Sequence, residues 1–297
     1  MTSLRRRLRR AVLAPVAAWL ARALAYAPPR ALAELGRALG TLGWLVARRA
    51  RQLTCANLAR AFPGETGAAH RVRGQRAFAH LGEVAADLIA ALRGRRALPD
   101  VQLDDLARGV LETALAQGRG VVLVSAHLGP WERVAQAIDR AGLPLTALVR
   151  TPPQPELAAL LARIRGTLPV VDRDRPGALR AMVRALRHNG IVGIPMDLAT
   201  RSASLDAPLF ESPARTAAGP ARLALHTGAA IVAATAVRDE ESGRIRVTCT
   251  HIDTHHATDA REITTRINEE LGARIRAYSE GWLWMHDRFA PGRTADA

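Results

Sequence analysis

The sequence predicts an α/β fold in which a mainly parallel central sheet is flanked by helices. Two observations carry this prediction: short apolar runs that suit buried strands recur along the chain, and segments with helical apolar spacing lie between most of them. Strands that alternate with helices of about ten to fifteen residues are typical of a parallel sheet. The predicted strands are 120–125, 143–149, 168–171, 191–195, 230–237 and 244–251.

The helices are predicted from apolar residues spaced three and four positions apart. Pro130 suits the first position of a helix at 131–141, because the N–H that proline lacks is not needed there. The final helix, 259–279, has one apolar stripe, formed by Ile263, Ile267, Leu271 and Ile275. The remaining helices are expected at 66–92, 100–117, 154–165, 176–189 and 216–228.

The N-terminal segment, residues 1–48, is predicted to be helical and to associate with a membrane, ahead of a catalytic domain at 49–297. Five arginines in residues 4–10 precede an apolar stretch, 11–27, that is marginal for the roughly 20 residues a span needs. A membrane anchor, an amphipathic interfacial helix and a cleaved signal all fit this stretch, as does an ordinary helix packed on the core. A second apolar stretch at 31–47 argues against cleavage.

The composition favours an anionic partner. The chain has 297 residues and a formal net charge of +15, and all 42 of its basic residues are arginine. Such a charge attracts nucleic acid, anionic lipid or acidic protein. Only 4% of residues are aromatic, and no stacking pattern accompanies the arginines, so we expect a membrane surface and no nucleic acid. Cys55 and Cys249 form no disulfide or metal pattern, which suits a reducing compartment.

Polar groups follow four of the predicted strands. In an open parallel sheet, ligands bind beyond the carboxyl ends of the strands, so these groups are expected to face one crevice. They are His127 with Glu132, then Arg150, then the run 172–175, and then Asp197 with Arg201.

His127 and Glu132 form the pattern with the clearest chemical sense. A neutral imidazole accepts a proton near pH 7, and a carboxylate bonded to its other nitrogen fixes the tautomer and stabilises the imidazolium. Glu132 would lie in the first turn of the following helix, from which it can reach back to His127. The alternative is that Glu132 only complements the helix dipole and His127 is a satisfied turn residue.

The segment His127-Leu-Gly-Pro-Trp-Glu132 resembles the His-x4-Asp/Glu signature of the glycerolipid acyltransferase superfamily. It is most similar to the form found in the lipid A late acyltransferases, the lauroyl and myristoyl transferases. Further segments resemble that family in the same order: 57–63, 148–150, 195–197 with 201–202, 215–224 with 227–232, and 284–289. The resemblance covers roughly residues 50–290, and six ordered segments are far more specific than any one of them.

The resemblance implies an acyltransferase that moves a fatty acyl chain from acyl carrier protein, or from coenzyme A, to a hydroxyl of a lipid A precursor. It implies an enzyme on the cytoplasmic face of the inner membrane that needs no metal and no other cofactor. His127 would be the general base, Glu132 its orienting partner, and Arg150, Asp197 and Arg201 substrate-binding residues.

The acceptor stays open at this point. Leu198 and Glu211 depart from the family's pattern, so an amino-acid-containing or glycosylated lipid is an alternative acceptor for the same chemistry. A basic membrane-binding protein without activity is the non-enzymatic alternative.

Overall fold

The computed structural model describes residues 24, 26–91, 101–200, 204–239, 244–257 and 259–289, and it confirms the predicted fold class. Within these residues, seven strands form the central sheet and two form a separate ribbon. The sheet strands are β1 (Val101–Leu103), β2 (Val121–Ser125), β3 (Leu145–Val149), β4 (Val170–Asp172), β5 (Ile191–Pro195), β8 (Ala230–Arg238) and β9 (Ile245–Ile252). The ribbon strands are β6 (Ser204–Leu209) and β7 (Ser212–Ala217).

The central sheet has the strand order β1-β9-β8-β2-β5-β3-β4. The strands from β8 to β4 in this order all pair in parallel, β9 runs antiparallel to β8, and β1 runs parallel to β9. The parallel part therefore brings the carboxyl ends of β2, β5 and β3 to one edge, side by side.

Nine α-helices lie within the described ranges. They are α1 (Pro29–Val46), α2 (Arg48–Ala61), α3 (Gly67–Ala90), α4 (Asp105–Leu115), α5 (Glu132–Arg140), α6 (Pro155–Arg165), α7 (Ala178–Arg187), α8 (Gly219–Thr227) and α9 (Ala260–Ala277). A short 3₁₀ turn, Ser279–Gly281, follows α9.

Two helix predictions are corrected. Residues 100–117 hold β1 before α4, and α4 begins only after Asp104, whose carboxylate accepts a hydrogen bond from the Ala107 N–H at 2.9 Å. The predicted helix 216–228 begins three residues late, at Gly219, because β7 runs to Ala217.

The ribbon of β6 and β7 was not predicted. Pro208 and Pro213 lie opposite each other in it, and proline is tolerated only where a strand leaves its N–H unpaired. Phe210 and Glu211 form its two-residue turn with φ of 52° and 58°, the left-handed backbone that tight hairpins require.

Two apolar cores cover the two faces of the sheet. On one face, Leu111 of α4 and Ile138 of α5 pack against the odd-numbered residues of β2, including Leu123. On the other face, Leu186 of α7 packs with apolar residues of α2, α3, α8 and α9 against the even-numbered residues of β2. The period of two along β2 decides which side chain joins which core.

Helix α1 lies directly against α3. A Cβ placed on Gly36 would come within 2.3 Å of the Gly82 carbonyl oxygen, so this crossing requires glycine. The membrane-associating segment was predicted at 1–48, and residues 1–23 and 25 of it lie outside the described residues. None of the helices in the described ranges combines the length and the apolar content that a bilayer crossing needs.

The segment after α9 is tied to the body of the protein by buried polar side chains. The Asn57 amide of α2 donates hydrogen bonds to the carbonyl oxygens of Trp284 and His286, both at 2.8 Å. Arg288, 1% exposed, donates to the Arg215 carbonyl oxygen at 2.7 Å and to the Thr216 hydroxyl at 2.6 Å. This segment is therefore fixed from two sides.

Replacing Asn57 by alanine should destabilise the protein by about 2–4 kcal/mol, because two carbonyl groups lose their hydrogen-bond donor. Denaturant unfolding of the purified variant measures this change in the free energy of unfolding. Gln52→Ala, at an exposed position of the same helix, is the matched control and should change stability by less than about 0.5 kcal/mol. Equal effects of the two changes would contradict the role given to Asn57.

Candidate active site

His127 and Asp197 face each other just beyond the ends of two paired strands. Ser125 of β2 is in register with Pro195 of β5, and each strand is followed two residues later by one of the two side chains. The Met196 N–H donates to the Ser125 carbonyl oxygen at 3.0 Å, which continues the pairing past the strand ends. The register of the sheet thus brings together two residues that are 70 positions apart.

Asp197 accepts three hydrogen bonds. Its Oδ1 lies 2.8 Å from His127 Nδ1, and its Oδ2 accepts from the His127 backbone N–H at 3.0 Å and from Trp282 Nε1 at 2.7 Å. The carboxylate is 2% exposed, so these donors replace the water that it loses on folding.

Trp282 comes from the segment after α9. Leu128 and Trp282 form an isolated antiparallel bridge, and the Gly129 N–H donates to the Gly281 carbonyl oxygen at 2.9 Å. Gly129 has a φ of 57°, and a Cβ there would come within 2.5 Å of the Ala236 carbonyl oxygen. The glycine of the 127–132 segment is therefore required for the turn that presents His127 beside Trp282.

Burial and the carboxylates act in opposite directions on His127. Burial lowers the pKa of the imidazole, but the charge of Asp197, its hydrogen bond and the charge of Glu132 outweigh burial and raise the pKa above its usual value. Burial likewise acts to raise the pKa of Asp197, and the charge and hydrogen bonds of His127, with that of Trp282, bring it below its usual value. Both shifts favour an ionised Asp197.

Glu132 does not occupy the position expected from the sequence. Asp197 holds Nδ1 of the imidazole, and the Glu132 carboxylate instead pairs with Arg165 of α6, Oε1 to Nη2 at 3.0 Å. The reason is geometric: Asp197 follows the strand paired with β2, whereas Glu132 begins α5 and faces α6. Glu132 still borders the same cavity and acts on His127 through its charge.

A cavity of about 420 Å³ opens beside His127. The floor of the cavity, formed by the central sheet, is apolar: Leu123, Ala147 and Gly193 lie there, and Val134 of α5 lines the cavity as well. Polar and aromatic side chains also line it: Trp131, Glu132, Arg150, Arg165, Arg173, Thr200 and His286. A volume of roughly 300–1,000 Å³ is typical of pockets that hold small molecules.

Of the other site residues predicted from the sequence, the structure describes Arg150 only. Arg150 borders the cavity, but its guanidinium is 69% exposed and pairs with Asp174 at 3.1 Å. Arg201 lies outside the described residues. Leu198 lines the cavity, whereas Glu211 lies at the turn of the β6–β7 ribbon, where it pairs with Arg276.

Trp282 and His286 were not expected at the site. His286 lines the cavity, and burial, together with the nearby charge of His127, lowers its pKa. Trp282 lies 85 positions from Asp197, so no local pattern marks the contact. In the sequence, the segment 282–289 is distinguished by its aromatic and histidine content and by the family resemblance of residues 284–289.

Comparisons with known proteins agree with the resemblance. A family model described as bacterial lipid A biosynthesis acyltransferase matches residues 3–290. A phosphatidylinositol mannoside acyltransferase of Mycobacterium tuberculosis, from strains CDC 1551 / Oshkosh and ATCC 25618 / H37Rv, is 29% identical over 138 residues, which are 44% of this chain and 43% of the relative. A phosphatidylinositol mannoside acyltransferase of Mycolicibacterium smegmatis, strain ATCC 700084 / mc(2)155, is 25% identical over 193 residues, 63% of this chain and 62% of the relative.

The chain spans less than two thirds of the length of the curated relatives it matches.

Asp197→Asn should lower the pKa of His127, because burial then acts against the imidazolium without the opposing carboxylate. Glu132→Gln should lower it by less, because this change removes only a charge that makes no hydrogen bond to the ring. Titration of the histidine ring signals by nuclear magnetic resonance measures both changes, with the His127 signal assigned from its loss in His127→Gln. A larger fall in Glu132→Gln than in Asp197→Asn would contradict the partner assigned to His127.

Proposed function

The chain belongs to the family of bacterial lipid A biosynthesis acyltransferases, and on this premise we propose that it transfers a fatty acyl chain from a thioester to a hydroxyl group of a glycolipid. The proposed donor is acyl carrier protein or coenzyme A carrying the chain. The observation that carries the proposal is the imidazole of His127, held by the buried Asp197 beside a cavity that has an apolar floor on the sheet.

His127 acts in the proposed reaction through Nε2. Asp197 accepts a hydrogen bond from Nδ1–H, which leaves the lone pair of the neutral ring on Nε2, and no hydrogen bond from the described residues occupies that atom. Nε2 takes the proton of the acceptor hydroxyl while the oxygen of that hydroxyl attacks the thioester carbonyl carbon. When the carbon–sulfur bond breaks, the imidazolium returns this proton to the leaving thiolate.

Asp197 is a positioning residue in this scheme. Its ionised carboxylate fixes the tautomer and stabilises the imidazolium during the reaction. Glu132 adds a second negative charge near the ring and holds Arg165 against the cavity. The sequence expectation that Asp197 binds substrate is thus replaced by a proposal that it supports the base.

The arginines at the entrance are proposed to bind the phosphates of the donor or acceptor. Arg150 and Arg173 both line the cavity, and both contact Asp174 in exposed ion pairs. Exposed pairs contribute little, at most about 1 kcal/mol, so a phosphate can displace Asp174 at small cost. Arg201 is proposed for the same role from the sequence resemblance.

The apolar part of the cavity is proposed to take the acyl chain. It lies between β2, β5 and β3 on one side and α5 on the other, next to His127. An acyl chain in this space would have its thioester carbonyl near Nε2.

A lipid A precursor is the first acceptor to test, because the family model covers nearly the whole chain. A mannosylated phosphatidylinositol is the second, since relatives named phosphatidylinositol mannoside acyltransferase match part of this chain. Both acceptors are glycolipids that carry hydroxyl groups, so they require the same chemistry of His127.

The exposed face of α1 is proposed to rest on the inner membrane at its cytoplasmic side. Its apolar stripe consists of Leu35, Leu39, Leu42 and Val46, which are spaced four, three and four residues apart. Each of these side chains is between 41% and 71% exposed. Arg30 and Arg48, exposed at the two ends of the stripe, suit anionic headgroups.

Deletion of the gene should remove one acyl chain from a single glycolipid class, and complementation should restore it. His127→Ala should restore it at a rate about 10²–10⁴-fold lower, because the hydroxyl loses its general base. Mass spectrometry of lipid extracts identifies the acceptor and the added chain together. His226→Ala, at an exposed histidine on α8, is the control and should complement fully.

Unimpaired acylation by His127→Ala would remove the central claim. A change in a mannosylated lipid with lipid A unaltered would replace the first acceptor by the second.

Leu39→Glu combined with Leu42→Glu should lower the partition of the full-length protein onto anionic vesicles by about tenfold, since two apolar side chains leave the interface. Flotation with phosphatidylglycerol-containing vesicles measures this partition. The control combines Leu106→Glu with Leu225→Glu, exposed leucines of α4 and α8, and should change the partition little. Equal loss in both pairs would mean that added negative charge, not the α1 stripe, determines binding.

A further inference from the structure

Strand β5 contributes a glycine to the floor of the cavity. β5 lies between β2 and β3, and Gly193 is in register with Leu123 on one side and Ala147 on the other. Alternate residues of a strand face the same side, and these three all line the cavity. Gly193 therefore lies at the centre of a floor three strands wide.

The register also gives the depth of the cavity. Ser125 and Pro195 line it at the strand ends, next to His127, and Gly193 lies two residues below them, about 7 Å at roughly 3.3 Å per residue. Leu145 lines the cavity at the next level, where its partner Ile191 is completely buried. A chain that extends from His127 to Leu145 thus has to pass over Gly193.

The missing side chain of Gly193 is what leaves this path open. A Cβ on Gly193 would lie 3.4 Å from Leu145 Cδ1 and 4.0 Å from both Ala147 Cα and Leu123 Cδ2, which are ordinary contact distances. A methyl group therefore fits without moving the sheet, but it would occupy the space between the two leucines. Larger side chains would close the path at this level.

We infer that Gly193 sets the longest acyl chain that the protein transfers. The inference rests on the proposed function, because it takes the apolar part of the cavity as the acyl site. An acyl chain short enough to end above Gly193 makes no contact at that level, whereas a longer one continues to Leu145. A side chain at residue 193 therefore discriminates between donors by length and leaves the reaction at His127 unchanged.

The test uses the full-length protein with equimolar series of saturated acyl thioesters of increasing length, one series on coenzyme A and one on acyl carrier protein. The acceptor is the lipid extract of the deletion strain, and mass spectrometry reads the length of the added chain. Gly193→Ala and Gly193→Val are compared with the wild type. Gly109→Ala is the matched control, since a Cβ on Gly109 in α4 meets no atom within 4 Å.

For the longest chains that the wild type transfers, the kcat/KM of Gly193→Val should be about 10- to 200-fold lower than that of the wild type. This is the range by which one methylene group changes kcat/KM in an apolar pocket. The loss of kcat/KM for the longest chains should be smaller in Gly193→Ala. For the shortest chains, kcat/KM should stay within about twofold of the wild type in both variants. Gly109→Ala should match the wild type at every length. The wild-type length preference in Gly193→Val, or an equal loss at every length, would overturn the inference. No transfer by the wild type to any lipid would overturn the proposed function itself.

Discussion

The site depends on one buried carboxylate. Burying an ionised aspartate is costly unless charged or polar partners replace its water, and Asp197 obtains these partners from two distant parts of the chain. His127 reaches it from the end of β2, and Trp282 from the segment after α9. Because Asp197 itself follows β5, one ionic centre joins two strand ends to the C-terminal segment, and the raised pKa of His127 results from that arrangement.

The two faces of the sheet differ in packing: one is closely packed, and the other holds the cavity. On the face covered by α7, α8 and α9, close packing and the buried contacts of Asn57 and Arg288 hold the segment that carries Trp282. On the opposite face, α5 leaves a cavity over β2, β5 and β3 near their ends. Rigidity on one side thus positions the imidazole, while space on the other side is available for a substrate.

The sequence predicted six of the seven described sheet strands, because a short apolar run bounded by glycine and polar residues is typical of a buried strand, but it missed β1, which has only three residues. It also predicted His127, which follows such a run directly. It favoured Glu132 as the partner of His127 because local spacing is visible in a sequence, whereas the contact with Asp197 depends on the pairing of β2 with β5. The ribbon of β6 and β7 was missed for a related reason. Its prolines and charged residues interrupt the alternation of apolar and polar residues, so its strands are recognised only from their pairing with each other.

The position of Trp282 has a consequence for the order in which the protein is assembled. A nascent chain that has left the ribosome only as far as α8 already contains every parallel strand of the sheet except β8, together with both His127 and Asp197. It still lacks the indole that donates to Asp197 and the backbone that bridges Leu128. The paired strands β2, β5, β3 and β4 can therefore form while the chain is being made, whereas the rest of the sheet needs β8 and β9. The site is completed only after synthesis has passed residue 282.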